Sequence, residues 1–69
     1  MKEVKIKTEF IKLGQLLKLA NLVYSGAEAK EVIQNGEVTL NGEVVVERGK
    51  KIRPGDIVEF ENNAIKVID

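Results

Sequence analysis

Arg48-Gly49-Lys50-Lys51-Ile52-Arg53 places four cations in six residues with no acid among them, and Pro54-Gly55-Asp56 turns the chain directly afterwards. Guanidinium forks and ammonium groups grouped in this way hold oxyanions, phosphate above all. A second feature suited to the same chemistry is Ser25-Gly26, which opens a helix. The first amides of a helix have no partner within it, and its positive dipole end favours an anion. Gly26 adds no Cβ to obstruct the approach. Each feature also has a plainer explanation. Ser25 is a helix cap, worth about 1 kcal/mol, and a run of surface cations discourages edge-to-edge strand pairing. Lys12, at the entry of the first helix, and Lys30, in the second turn of the next, extend a surface that the Ser25-Gly26 start and the basic run would form. Lys18 shares a helix with Lys12 but is assigned to a direction away from the Leu13/Leu17 stripe and ranks below it. Tyr24, between the helices, offers a ring on which a base could stack, or a packing residue with its hydroxyl in water.

Other chemistries are excluded by what the chain lacks. It has no His and no Cys, so a disulfide and a thiolate metal site are ruled out, and the side chains that most often serve as poised proton acceptor or thiol nucleophile are missing. A zinc site would have to be built from carboxylates alone, a donor set that zinc seldom has in proteins. Glu28/Glu31 and Glu59/Glu61 are explained as solvated faces of a helix and a strand. Neither Gly-rich nucleotide-binding pattern occurs. No enzymatic activity and no cofactor are expected.

The 69 residues suffice for one domain, expected over residues 1–69, and lie near the lower limit for an unassisted core. Apolar residues make up 43% of the chain, mainly Val, Ile and Leu, so nearly all of them must be used. Eleven basic and eleven acidic side chains cancel. A balanced total argues against a polyanionic partner, but four of those cations fall within Arg48–Arg53. No apolar run is long enough to span a bilayer, and Met1-Lys2-Glu3-Val4-Lys5 has no apolar leader core. The expectation is a cytoplasmic, monomeric protein with no membrane partner.

Local patterns supply the elements that must position the cations. Val4-Lys5-Ile6-Lys7 alternates as a half-buried strand does. Leu13, Leu16, Leu17 and Ala20 recur at helical spacing, predicting a helix from about Leu13 to Leu22, with Leu19 and Val23 widening its apolar stripe and Gly14 a mild penalty in its first turn. Ser25-Gly26-Ala27-Glu28 reads as a capping box in which Glu28 returns to the Ser25 amide. Ala29, Val32 and Ile33 form the buried face of that second helix, and Gly36 stops it. Glu37–Leu40, Asn41-Gly42 and Glu43–Val46 read as a type I′ hairpin. Ile57–Phe60 and Ala64–Ile68 are two further strands joined through Glu61-Asn62-Asn63. The order is β-α-α-β-β-β-β, an α+β domain with helices on one face of a small antiparallel sheet.

Taken together, Leu16-Leu17-Lys18, Ser25-Gly26-Ala27-Glu28-Ala29-Lys30, Gly36-Glu37-Val38 with Asn41-Gly42-Glu43, and Lys51-Ile52 with Gly55-Asp56 resemble the S4-like RNA-binding domain. The resemblance covers about Lys12 to Phe60, and the Ser-Gly-x-x-Ala-Lys form is similar to a branch of small stand-alone bacterial proteins. It implies a two-helix αL-type motif with its hairpin, no cofactor, and binding to structured RNA such as ribosomal RNA or tRNA, with the ribosome or its assembly intermediates as the setting. The chain departs from the family pattern in two places. Leu13-Gly14-Gln15 stands where members often carry Arg, and Ser25-Gly26 where many have Ser-Arg. The candidate RNA-binding residues are therefore Lys12, Ser25, Gly26, Lys30, Arg48, Lys50, Lys51 and Arg53, with the basic run supplying what the missing arginines do not. The competing reading, motivated by zero net charge and those departures, is a protein-interaction module of the same fold that has lost RNA binding.

Overall fold

Val58 and Phe60, and likewise Ile65 and Val67, are buried while their neighbours Glu59 and Lys66 face solvent. This is the period-two pattern of strands with one face on a core. In the computed structural model, which describes residues 1–69, these strands are the centre of a five-stranded sheet. The elements are β1 (Lys2–Lys5), β2 (Ile11–Lys12), α1 (Leu13–Leu19), α2 (Gly26–Gln34), β3 (Val38–Leu40), β4 (Glu43–Val44), β5 (Lys51–Ile52), β6 (Ile57–Phe60) and β7 (Asn63–Ile68). The sheet order is β1-β7-β6-β3-β4. The helices contribute Leu13, Leu16, Leu17, Ala29 and Ile33 to the same fully apolar core as the strands, and no polar residue is buried. No helix is long and apolar enough to cross a membrane.

The α+β class and the element order match the expectation, with two refinements. The sheet is mostly antiparallel, but β1 and β7 run parallel, in the register Val4↔Val67. A parallel pair needs a long crossover, and here the whole intervening chain provides it. In addition, Ile11–Lys12 and Lys51–Ile52, expected as a helix entry and part of a cationic loop, pair as a separate antiparallel ribbon. Ile52 is fully buried there, which anchors an otherwise polar run to the core.

Helix α1 ends three residues before the apolar pattern does. Asn21 takes φ +61°, its amide donates to the Lys18 carbonyl, and the Leu22 amide donates to the Leu17 carbonyl. This is a Schellman stop with Asn in the position that usually favours Gly. The same arrangement ends α2, with Gly36 at φ +76° and the Glu37 amide donating to Val32. Apolar periodicity cannot reveal the first stop, because Leu22 and Val23 still pack on the core after the helix has ended. Leu19, expected to widen the buried stripe, is exposed, and Tyr24 packs against nothing. Strand β4 also ends early, at Val44 instead of Val46, with one further bond across the hairpin, from the Val45 amide to the Val38 carbonyl at 3.1 Å, before the chain runs towards α1.

The Asn41-Gly42 turn has both residues at positive φ, as the type I′ geometry requires. Its tip is fastened to the Pro54-Gly55-Asp56 turn. Asn41 Nδ2 donates to Asp56 Oδ1 at 3.0 Å, and Asn41 Oδ1 accepts from the Ile57 amide at 2.9 Å. Asp56 Oδ2 accepts in turn from the Arg53 amide at 2.8 Å. Asp56 thus joins the end of the basic run to the hairpin. Asp56→Ala removes two of these bonds and should lower unfolding free energy by about 1–2 kcal/mol, with Asn41→Ala similar. Urea midpoints unchanged in both variants would show that this junction does not contribute to stability.

Candidate RNA-binding groove

Helix α1 begins without a side-chain cap at Lys12. Its leading amides are satisfied from the basic run instead. Leu13 N–H donates to the Lys50 carbonyl at 2.9 Å, and Gly14 N–H donates to the Arg48 carbonyl at 3.0 Å. The loop can approach this closely because residue 14 has no side chain. A Cβ on Gly14 would lie 2.7 Å from Arg48 Cγ and 3.3 Å from Cδ. Gly14 therefore does more than weaken a helix turn: the aliphatic stem of Arg48 lies across it, setting a guanidinium at the start of α1.

Helix α2 begins differently. Ser25 Oγ accepts from the Glu28 amide at 3.1 Å, as a cap should. The Glu28 carboxylate closes the return bond on the Tyr24 amide at 2.7 Å, one residue before the expected Ser25. The amides of Gly26 and Ala27 have no acceptor within the chain. Of the two helix starts, the first is closed by the loop and the second is open.

An open groove of roughly 240 Å³ lies between these parts, lined by Lys12, Gly14, Gln15, Lys18, Gly26 and Arg48. Its lining comprises three cations, one amide side chain and two glycines, with no acid. Three of the eight residues singled out from sequence, Lys12, Gly26 and Arg48, converge here. Ser25 adjoins Gly26, and Lys30 lies one helical turn further along the same face of α2. Lys50 docks through its carbonyl while its side chain is exposed. Lys51 and Arg53 turn elsewhere, with Lys51 Nζ 4.9 Å and Arg53 Cζ 6.0 Å from the centre of the Phe10 ring. The basic run is thus divided between the groove and a cation–π cluster.

Gln15 and Lys18 were not among those eight; Lys18, expected to point away from the Leu13/Leu17 stripe and ranked below Lys12, lines the groove beside it. The spacing of three from Lys12 to Gln15 and from Gln15 to Lys18 makes each a neighbour of the next at the start of α1, a signal available in the sequence. No group of His, Cys, Asp or Glu is arranged to hold a metal ion.

A family model for the S4 domain matches residues 4–68, a longer span than the quoted motifs. The chain belongs to the S4 domain family. It is 47% identical over 58 residues to "Probable ribosome maturation protein RlbA" of Bacillus subtilis (strain 168), covering 84% of this chain and 82% of that protein. YbcJ of Escherichia coli (strain K12) is 36% identical over 62 residues, covering 90% and 89%. The solution structure of YbcJ, described as revealing an αL motif involved in RNA-binding, superposes with a TM-score of 0.77 at 33% identity, covering 100% of this S4 domain and 89% of that chain. The 30S ribosomal protein S4e of Thermoplasma acidophilum shares the fold alone, with a TM-score of 0.63 at 22% identity over 84% of this chain and 31% of that one.

The close approach of Gly14 and Arg48 has a direct test. Gly14→Ala should cost about 1–2 kcal/mol through overpacking, although Ala is the better helix former by up to about 1 kcal/mol. In an Arg48→Ala background the same change should be neutral or stabilising, because the obstructing stem is gone. Urea unfolding of the four proteins gives the coupling between the two sites. A value within the roughly 0.5 kcal/mol seen for independent sites would contradict the contact.

Proposed function

We propose that this S4 domain binds the phosphate backbone of structured RNA in the groove between its two helix starts, without catalysing a reaction on it. Lys12, Lys18 and Arg48 supply the charge. The free amides of Gly26 and Ala27, held in place by the Ser25 cap, receive one phosphate oxygen. Lys30 and Lys50 extend the cationic border, and Lys51 and Arg53 present a second set of cations beside Phe10. Ribosomal RNA, ahead of tRNA, is the expected target, since one relative is named as a ribosome maturation protein and another is described as carrying an RNA-binding αL motif.

The observation that carries this reading is the acid-free, tri-cationic lining of the groove in a chain whose net charge is zero. Local charge, not the total, determines what a concave surface attracts. The arginine that the family pattern often places at the start of the first helix is absent, but Arg48 brings a guanidinium to that place from the loop. The protein-interaction reading draws on a different observation, the exposed Val44 on the free β4 edge of the sheet and the exposed Val46 beyond its end.

Binding to a hairpin RNA should weaken with salt at a log–log slope of about −2 to −3, as expected for three phosphate contacts. Arg48→Glu and Lys12→Glu should each reduce affinity about tenfold or more, since each replaces an attraction with a repulsion. Lys66→Glu, on the exposed side of β7, is the matched control and should change it little. Affinity that is flat with salt, or equally sensitive to all three reversals, would remove the groove from the mechanism and favour the protein-interaction reading.

A further inference from the structure

The chain has three aromatic residues, and they are in three different situations. Phe60 is buried in the core. The Phe10 ring is engaged by Lys51 and Arg53. Tyr24 alone has a free ring, at 100% exposure.

That exposure is not the result of a loose backbone. Val23, the preceding residue, is in the core at 4% exposure. The Tyr24 amide donates to Glu28 Oε1 at 2.7 Å, and Ser25, the next residue, is tied into α2 through its cap. The ring therefore projects into solvent from a segment held on both sides. Two residues on is Gly26, a wall of the cationic groove, so the two backbone positions are separated by at most about 7 Å.

Resting on the RNA-binding reading above, we infer that Tyr24 is a stacking post for one unpaired nucleobase. The RNA taken by the groove then carries a bulged or looped-out nucleotide next to the phosphate that the groove holds. A continuous A-form stem offers phosphates but no free base face, whereas an unpaired nucleotide offers both together. One ring beside one phosphate seat suits a single displaced base, in contrast to the rows of aromatics that track single strands. The cationic groove, whose wall at Gly26 is two residues from Tyr24, has no acid in its lining, and this selects a polyanion as the occupant over a protein surface.

The test uses two hairpin RNAs of equal length, one with a fully paired stem and one with a single bulged 2-aminopurine. The full chain should prefer the bulged RNA and quench its 2-aminopurine fluorescence. Tyr24→Ala should lose about five- to tenfold in affinity for the bulged RNA, lose the quenching, and bind the paired stem as before, while Tyr24→Phe retains both. Equal affinity of the wild-type chain for the two RNAs, or an unaltered preference in Tyr24→Ala, overturns the stacking role. If salt-sensitive binding to the paired stem survives that result, the groove reading stands without it. If neither RNA binds, both fall. An affinity loss on both RNAs alike would mark Tyr24 as a general contact and also overturns the inference.

Discussion

Two backbone hydrogen bonds organise this molecule: those from the leading amides of α1, at Leu13 and Gly14, to the carbonyls of Lys50 and Arg48. Any helix start leaves amides to be satisfied, and most chains use a Ser, Thr or Asp cap. Here a stretch rich in cations does it with its main chain. Three consequences follow from that one arrangement. The loop is fixed, the β2–β5 ribbon is aligned beside it, and the Arg48 stem is laid over Gly14 with its charge at the groove. A side chain at position 14 would break the arrangement, so the helix accepts a residue that is poor for helices.

The same docking explains how a chain with no net charge builds a cationic surface. A domain of this size has little interior to spare, and its core is wholly apolar. Its site is therefore made at the surface, where a loop and two helix starts meet. Closing the α1 amides with the loop leaves those of α2 as the free donors. The acids are kept off the groove lining by the helical period itself, since Lys12, Gln15 and Lys18, each a neighbour of the next, include none. Glu28, the acid nearest the open helix start, is drawn back to the Tyr24 amide.

Much of this was legible in the residues. The five strands of the main sheet, both helices, the Ser25 cap, the Gly36 stop and the Asn41-Gly42 turn are all announced by residues within a few positions of each other. So were three walls of the groove, at Lys12, Gly26 and Arg48. What escaped had a physical reason in each case. Asn21 ends α1 although apolar residues continue, because Leu22 and Val23 reach the core from a non-helical backbone. Tyr24 had two readings, a stacking ring or a packing residue, and the packing one fails because nothing local says that the ring faces only solvent.

By itself, then, the sequence determined the element order, the start and stop of the second helix, the Asn41-Gly42 turn, and the presence of cations suited to phosphate. Those properties are set by interactions between near neighbours, and near neighbours are what a sequence displays. Tertiary structure decided how the cations were shared out, sending Arg48 to the groove and Lys51 and Arg53 to Phe10. It also decided that β1 joins β7 in parallel, and that Gly14 is a place of close approach and not a flaw in a helix. Each of these depends on segments far apart in the chain being brought within van der Waals or hydrogen-bonding distance, and only the packing of one apolar core brings them there.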